Sequence, residues 1–243
     1  MLPQSVRTVA AGFRELLFPS MCPGCGNVFP GLAGHFCSAC TAVLTADPHQ
    51  TCPRCCSSIG EFGNAEEDCP RCRGEKYHFE RTFRLGPYEG LMREMILQMK
   101  SSAGEILAEC LGRLWAKCAE SRFREAKADV VIPVPLHWRR KWERGFNQSE
   151  ALSEAIAEHL GILHAPRWLR RVTATPFQTA VSPTERRQNL RGAFRANRSA
   201  QLTGKTVLLI DDVLTTGSTL SEAARALRHE GAARVIAAVL AHH

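Results

Sequence analysis

Two sets of residues in this 243-residue chain have the types and spacing to do chemistry. The first is Asp211-Asp212, followed at once by Val213-Leu214-Thr215-Thr216-Gly217-Ser218-Thr219. A turn of Thr, Gly and Ser that opens a helix presents free backbone N–H groups and the positive end of the helix dipole, which is a phosphate site. Two carboxylates just before it would repel a bare phosphate. They make sense where the ligand also brings vicinal hydroxyls or a divalent cation, as a sugar phosphate with a magnesium-bound pyrophosphate does. The competing reading is an ordinary strand–turn–helix whose aspartates cap the helix. The second set is eight cysteines in four C-x-x-C pairs: Cys22/Cys25, Cys37/Cys40, Cys52/Cys55 and Cys69/Cys72.

A C-x-x-C turn lets two thiolates face one tetrahedral zinc, and four sulfurs close a structural site with no open position for catalysis. Pro23-Gly24, Pro53-Arg54 and Pro70-Arg71 are suitable turn residues. Consecutive pairing predicts two zinc ribbons, Cys22, Cys25, Cys37 and Cys40 in one and Cys52, Cys55, Cys69 and Cys72 in the other. Spacing alone also admits crossed pairing. Iron–sulfur ligation is the rival and would call for different spacing in its usual forms. Cys56 is a spare thiol beside a ligand, and Cys110 and Cys118 fall in a helical pattern that suits the core.

Composition narrows the setting. Eleven cysteines without a secretion signal read as metal binding in a reducing cytoplasm rather than as disulfides. No apolar run is long enough to span a bilayer. The formal charge of +7 sits in one region: from His137 to Arg198 twelve Lys/Arg face five Glu. Such a stretch suits a polyanion, whether a polyphosphate sugar or nucleic acid, as well as a merely solvated surface.

The elements that must position these groups follow from periodicity. Residues 1–19 carry Val6, Val9, Phe13, Leu16 and Leu17 at helical spacing and read as a short amphipathic helix. Residues 20–76 form the double zinc ribbon and 77–243 an α/β domain. Within that domain Arg81–Gly86 reads as a strand or hairpin. Met92, Met95, Ile96 and Met99 mark one helix, with Lys100 at its end either solvated or reaching an anion. Ile106, Cys110, Leu111, Leu114 and Trp115 mark a second helix. Asp129–Pro135 and Val207–Ile210 read as buried strands, each followed by a loop and a helix, and Ala232–Leu240 as another. The loop after the first buried strand holds Arg139, Arg140, Lys141 and Arg144, more cations than a turn needs, and leads to a helix from Ser149 to Leu160. With Trp138 and Trp142 it could equally stack the bases of a single strand. A strand ends near Val172, and a polar segment with Gln178, Glu185, Arg186 and Arg187 follows it. Alternating strand and helix predict a mainly parallel sheet flanked by helices.

The order apolar strand, Asp-Asp, Thr-Thr-Gly-Ser-Thr resembles the phosphoribosyl pyrophosphate (PRPP) loop of type I phosphoribosyltransferases. The cysteine pairs, Arg144-Gly145-Phe146-Asn147-Gln148 and Glu185–Phe194, taken with that loop, are similar to the ComF family over nearly the whole chain. The resemblance implies a zinc-binding N-terminus joined to a type I phosphoribosyltransferase fold, and an association with competence and the use of external DNA. It implies Asp211 and Asp212 at the ribose hydroxyls, directly or through magnesium. Val213 to Thr219 would hold the 5′-phosphate, Arg139, Arg140, Lys141 and Arg144 the pyrophosphate, and Gln178, Glu185, Arg186 and Arg187 a flexible catalytic loop. The expected activity is pentosyl transfer from PRPP to a nitrogen-containing acceptor. The alternatives are a non-catalytic PRPP-binding regulator docking through its ribbons onto DNA-uptake or helicase proteins, and a direct single-stranded DNA binder.

Overall fold

The computed structural model describes residues 20–29, 34–60, 69–173 and 190–243. The expected N-terminal helix and the four residues Gln178, Glu185, Arg186 and Arg187 lie outside the described residues. The cysteine-rich part contains a helix, α1 (Ser38–Thr45), and a two-stranded antiparallel ribbon, β1 (Gln50–Thr51) with β2 (Ser58–Ile59).

The rest is built on five parallel strands: β3 (Arg81–Pro87), β4 (Val130–Pro133), β5 (Leu163–His164), β8 (Thr206–Leu214) and β9 (Arg234–His242). Their order is β3-β9-β8-β4-β5. Apolar runs such as Val207–Ile210 and Val235–Leu240, half of them β-branched, are fully buried, because helices cover both faces. Those helices are α2 (Gly90–Met99), α3 (Glu105–Cys118), α4 (Glu120–Glu125), α5 (Trp138–Arg144), α6 (Gln148–Leu160) and α7 (Ser218–His229). A separate antiparallel pair, β6 (Leu169–Arg171) and β7 (Phe194–Ala196), flanks the segment between them.

Four expectations change. The 81–87 segment is a parallel edge strand beside β9, not half of a hairpin. The basic stretch after β4 is not a loop: residues 138–144 are helical, capped by the His137 ring, which accepts from the Arg139 N–H at 3.4 Å. Cys118 is exposed and Ile106 is 71% exposed, because α3 turns those positions away from the face that carries Trp115. Finally, β8 does not stop before the acid pair. It runs on to Leu214 against β9, as far as the register Leu214↔His242.

On its other side β8 loses its partner at Pro133↔Ile210. There Val134 still donates to the Ile210 carbonyl, and beyond it Pro135 cannot donate. Asp211 and Asp212 therefore project past the end of β4. From β4 the chain steps outward to β5, whereas from β8 it steps the other way to β9, so strand order reverses between β4 and β8. In open parallel sheets that reversal leaves a crevice at the carboxyl ends of the strands, where ligands bind.

One apolar core joins the two parts of the chain. Cys22, Phe36, Cys40 and Leu44 pack in the same cluster as Met95, Ile96, Leu111 and Ile236. An ion pair reinforces the join. Arg84, only 3% exposed on β3, donates through Nε and Nη2 to both carboxylate oxygens of Asp47, at 2.8 and 2.9 Å, and also to Ser58 Oγ. Burial raises the Asp47 carboxyl, but the Arg84 guanidinium outweighs it and holds the group below its usual range.

Candidate functional site

The acid pair is met by side chains from the start of α6 and from the end of α2. Asp211 Oδ1 accepts from Ser149 Oγ at 3.0 Å, at the start of α6. Asp212 Oδ2 accepts from Gln148 Nε2 at 3.3 Å and lies 3.0 Å from Lys100 Nζ, which follows α2. The backbone N–H groups of Asp212 and Val213 are taken up by the preceding carboxylates, at 2.9 and 2.8 Å. Burial first, and then the neighbouring Asp212 charge, push the Asp211 carboxyl up to about 8. Lys100 answers only part of the pair's charge. Two carboxylates in this state are a fitting oxygen donor set for a hard divalent cation, which would relieve the repulsion.

Local sequence builds this arrangement. Asn147 caps α6, its Oδ1 accepting from Ser149 N–H while its Nδ2 donates to the Val134 carbonyl. That second bond ties the start of α6 to the end of β4. Gln148 and Ser149 are thereby set opposite the end of β8. Beyond the acid pair the chain turns through Gly217, whose φ of +74° a side chain would resist, and enters α7 at Ser218. Thr216 Oγ1 meets Ser218 Oγ at 2.9 Å and accepts from the Ser218 N–H at 3.4 Å, ordering the turn. The segment Val213–Thr219 thus lies between the acid pair and the α7 N-terminus.

The four basic residues of the 138–144 segment are not equivalent. Arg144 donates to Gln148 Oε1 at 2.5 Å, and Gln148 in turn donates to Asp212. Burial lowers the Arg144 guanidinium, and the Asp212 charge opposes that shift. Lys141 is instead paired with Glu150 at 2.8 Å. Arg139 lies over the Trp138 ring, 5.2 Å from its centroid. Arg171 on β6 is depressed by burial and by Arg140, and held up by Asp211. Lys100, Gln148, Ser149 and Arg171 were not distinguished as site residues by spacing. The Asn-Gln-Ser string beginning a helix directly after a basic segment was the available signal.

The cysteines gather in the consecutive sets. In each, the four Sγ atoms lie within 4.8 Å of one another. Within them Cys25–Cys37 are 3.9 Å apart, Cys52–Cys72 3.7 Å and Cys55–Cys69 4.0 Å. A tetrahedron with Zn–S bonds of about 2.3 Å has edges of about 3.8 Å, so both groups could hold zinc. Burial works against ionisation of Cys22, but N–H groups of Cys37, Cys25 and Gly24 bring its thiol down to about 6. A Cβ on Gly24 would come within 2.9 Å of Cys40 Sγ, so the knuckle needs glycine there. Cys56, fully buried with φ +53°, takes the position after the second knuckle that Gly26 takes after the first, and is not one of the eight.

The Phosphoribosyl transferase domain family model matches residues 149–243, which contain the acid pair, the turn and α7. Among curated proteins, the DNA utilization protein YhgH of Escherichia coli K12 is 32% identical over 225 residues, covering 90% of this chain and 96% of that protein. Competence protein F of Haemophilus influenzae is 30% identical, covering 80% and 85%. Competence protein ComFC of Bacillus subtilis is 28% identical, covering 88% and 80%. The parallel sheet with its flanking helices is a type I phosphoribosyltransferase domain. That similarity, over most of the chain, together with the domain match shows that the chain belongs to the ComF family.

Proposed function

We propose that this protein binds PRPP with magnesium in the crevice between β4 and β8 and serves the handling of DNA taken up by the cell. The observation that carries the reading is the acid pair projecting at the sheet's reversal point, directly before the Gly217 turn and the start of α7. Asp211 and Asp212 engage the ribose hydroxyls, and the amides and hydroxyls of residues 215–219 take the 5′-phosphate. Pyrophosphate falls to the basic segment, chiefly to Arg144 through its tie to Gln148 and Asp212. Magnesium, when bound, neutralises pyrophosphate charge. In transfer chemistry a nitrogen acceptor would attack the anomeric carbon as its C–O bond to pyrophosphate breaks and intact pyrophosphate leaves, and the carboxylates would stabilise positive charge developing on the sugar. The names of the relatives supply the link to competence and DNA use.

Zinc at the two cysteine groups belongs to the same reading, as do the division at residue 76 and a cytoplasmic location. Among the described residues all eleven cysteines are free thiols, and no helix is long and apolar enough to cross a membrane. Calorimetric titration with PRPP and magnesium tests the ligand. The wild type is expected to bind and Asp211→Asn/Asp212→Asn to lose at least tenfold in affinity; a wild type that does not bind sinks the proposal. Pyrophosphate release, screened over bases and amines, separates transfer from simple binding.

A second reading, direct contact with single-stranded DNA, is favoured by α5. Trp138 and Trp142 are 64% and 85% exposed one helical turn apart, beside Arg139 and Arg140. Affinity for an oligonucleotide should then fall with salt and drop in Trp138→Ala/Trp142→Ala. Binding unchanged by either removes this reading.

A further inference from the structure

The second cysteine group and the phosphate turn are joined by one side chain. The knuckle Cys52-Pro53-Arg54-Cys55 carries Arg54 outward, where Nη2 donates to the Glu75 carbonyl at 2.7 Å and the guanidinium lies over the Tyr77 ring, 5.5 Å from its centroid. Tyr77 also stacks on Phe79, centroids 4.7 Å apart and rings 14° from parallel. Phe79 is buried in the cluster that also holds Leu214 and Leu220, the residues bracketing the turn. Tyr77 itself packs against the group Cys52, Cys55, Cys69 and Cys72.

Held this way, Tyr77 reaches the turn. Its hydroxyl donates to the Thr216 carbonyl at 3.3 Å, and its ring covers Gly217 so closely that a Cβ there would stand 2.8 Å from Cε1. The next residue adds a second tie, the His78 N–H donating to Ser221 Oγ at 3.2 Å. Among the described residues the first cysteine group has no such link to the turn. Its buried members Cys22 and Cys40 pack instead in the core cluster with α2 and α3.

We infer that Tyr77 is a positioning residue that couples the second cysteine group to the turn Thr215–Thr219, so that metal held by Cys52, Cys55, Cys69 and Cys72 sets the shape of the phosphate site. The inference rests on reading that turn as the phosphate loop, but the coupling is measurable without any ligand. An unfilled knuckle releases Arg54, the Tyr77 ring loses one wall, and the turn loses the group that closes over Gly217. Metal at the first group does not act on the turn by this route.

The test is hydrogen exchange on the full chain, read in peptides covering residues 214–221, with zinc content measured on the same samples. Tyr77→Ala is expected to keep its zinc and speed exchange in that segment at least tenfold, while peptides of β4 stay unchanged. Tyr77→Phe, which keeps the ring and loses only the hydroxyl, should give a two- to fivefold rise. Cys69→Ser should reproduce the Tyr77→Ala pattern and Cys25→Ser should not. Equal exchange in wild type and Tyr77→Ala overturns the coupling, as does an equal effect on the turn from Cys25→Ser and Cys69→Ser. PRPP affinity on the same variants should fall in step with exchange. A wild type that binds no PRPP while exchange still responds refutes the ligand and leaves the coupling standing.

Discussion

Lys100 Nζ lies 3.0 Å from Asp212 Oδ2, although the two residues come from opposite ends of the domain sequence. Lys100, just after α2, faces two carboxylates, of which Asp211 is half-buried with its carboxyl pushed up to about 8 by burial and by Asp212. The two neighbouring carboxylates repel, and a proton held on Asp211 relieves that strain.

That strain has a definite pH dependence. The folded pKa of Asp211 is raised above its ordinary value of 3.8, so between about 4 and 8 the folded state holds more protons than the unfolded state. Its contribution to stability is fully present below the lower value and is lost as pH rises through about 8. Asp211→Asn should flatten this slope and stabilise the protein at pH 8.5 by roughly 0.5–3 kcal/mol. Urea unfolding at pH 5.5 and 8.5 checks it, and equal slopes in both proteins would contradict it.

Arg84→Ala should destabilise the fold by about 3–5 kcal/mol, because Asp47 would be left with its charge partly buried and unpaired. The double variant Arg84→Met/Asp47→Leu should recover most of that loss, since no charge then remains to be desolvated. Chemical denaturation of the three proteins gives the comparison.

Arg144 and Lys141 are predicted to separate. Arg144→Ala removes the partner of Gln148 and should weaken PRPP binding by at least tenfold, while Lys141→Ala breaks an exposed pair with Glu150 and should change it by less than threefold. Calorimetry on the two variants decides; equal losses would mean that the whole basic segment closes on the ligand.

Gly217→Ala combines a φ of +74° with a 2.8 Å approach to Tyr77. It should cost about 1–3 kcal/mol in stability and lower phosphate affinity, with Gly231→Ala, on the far end of α7, leaving affinity unchanged. Thermal unfolding and titration with ribose 5-phosphate test both.

Metal analysis of the purified protein should find about two zincs per chain, all-sulfur sites being complete at four ligands each. One zinc, or iron, would overturn the two-ribbon reading.

Much of the site was legible because its chemistry is local. Asp211, Asp212 and the turn to Thr219 are contiguous, and each C-x-x-C pair declares itself within four residues. A buried parallel strand also needs an apolar run that no half-exposed element requires, so β4, β8 and β9 stood out. What depends on neighbours could not be read in the same way. Lys100 read more readily as a solvated lysine than as an anion contact until α2 carried it to Asp212. Arg139, Arg140, Lys141 and Arg144 looked alike until α5 and α6 gave Lys141 to Glu150 and Arg144 to Gln148.

The sequence by itself determined what chemical groups this protein brings: two four-sulfur sets, an acid pair and a turn suited to phosphate, all encoded within short stretches of chain. Only the tertiary structure decided which groups meet. Strand order placed the acid pair at the reversal between β4 and β8, where ladder pairing ends on one side. Folding of residues 69–79 against α7 brought Tyr77 onto Thr216, 139 positions away in the chain. Contacts at that separation are set by how buried surfaces pack together, which no local pattern of residues specifies.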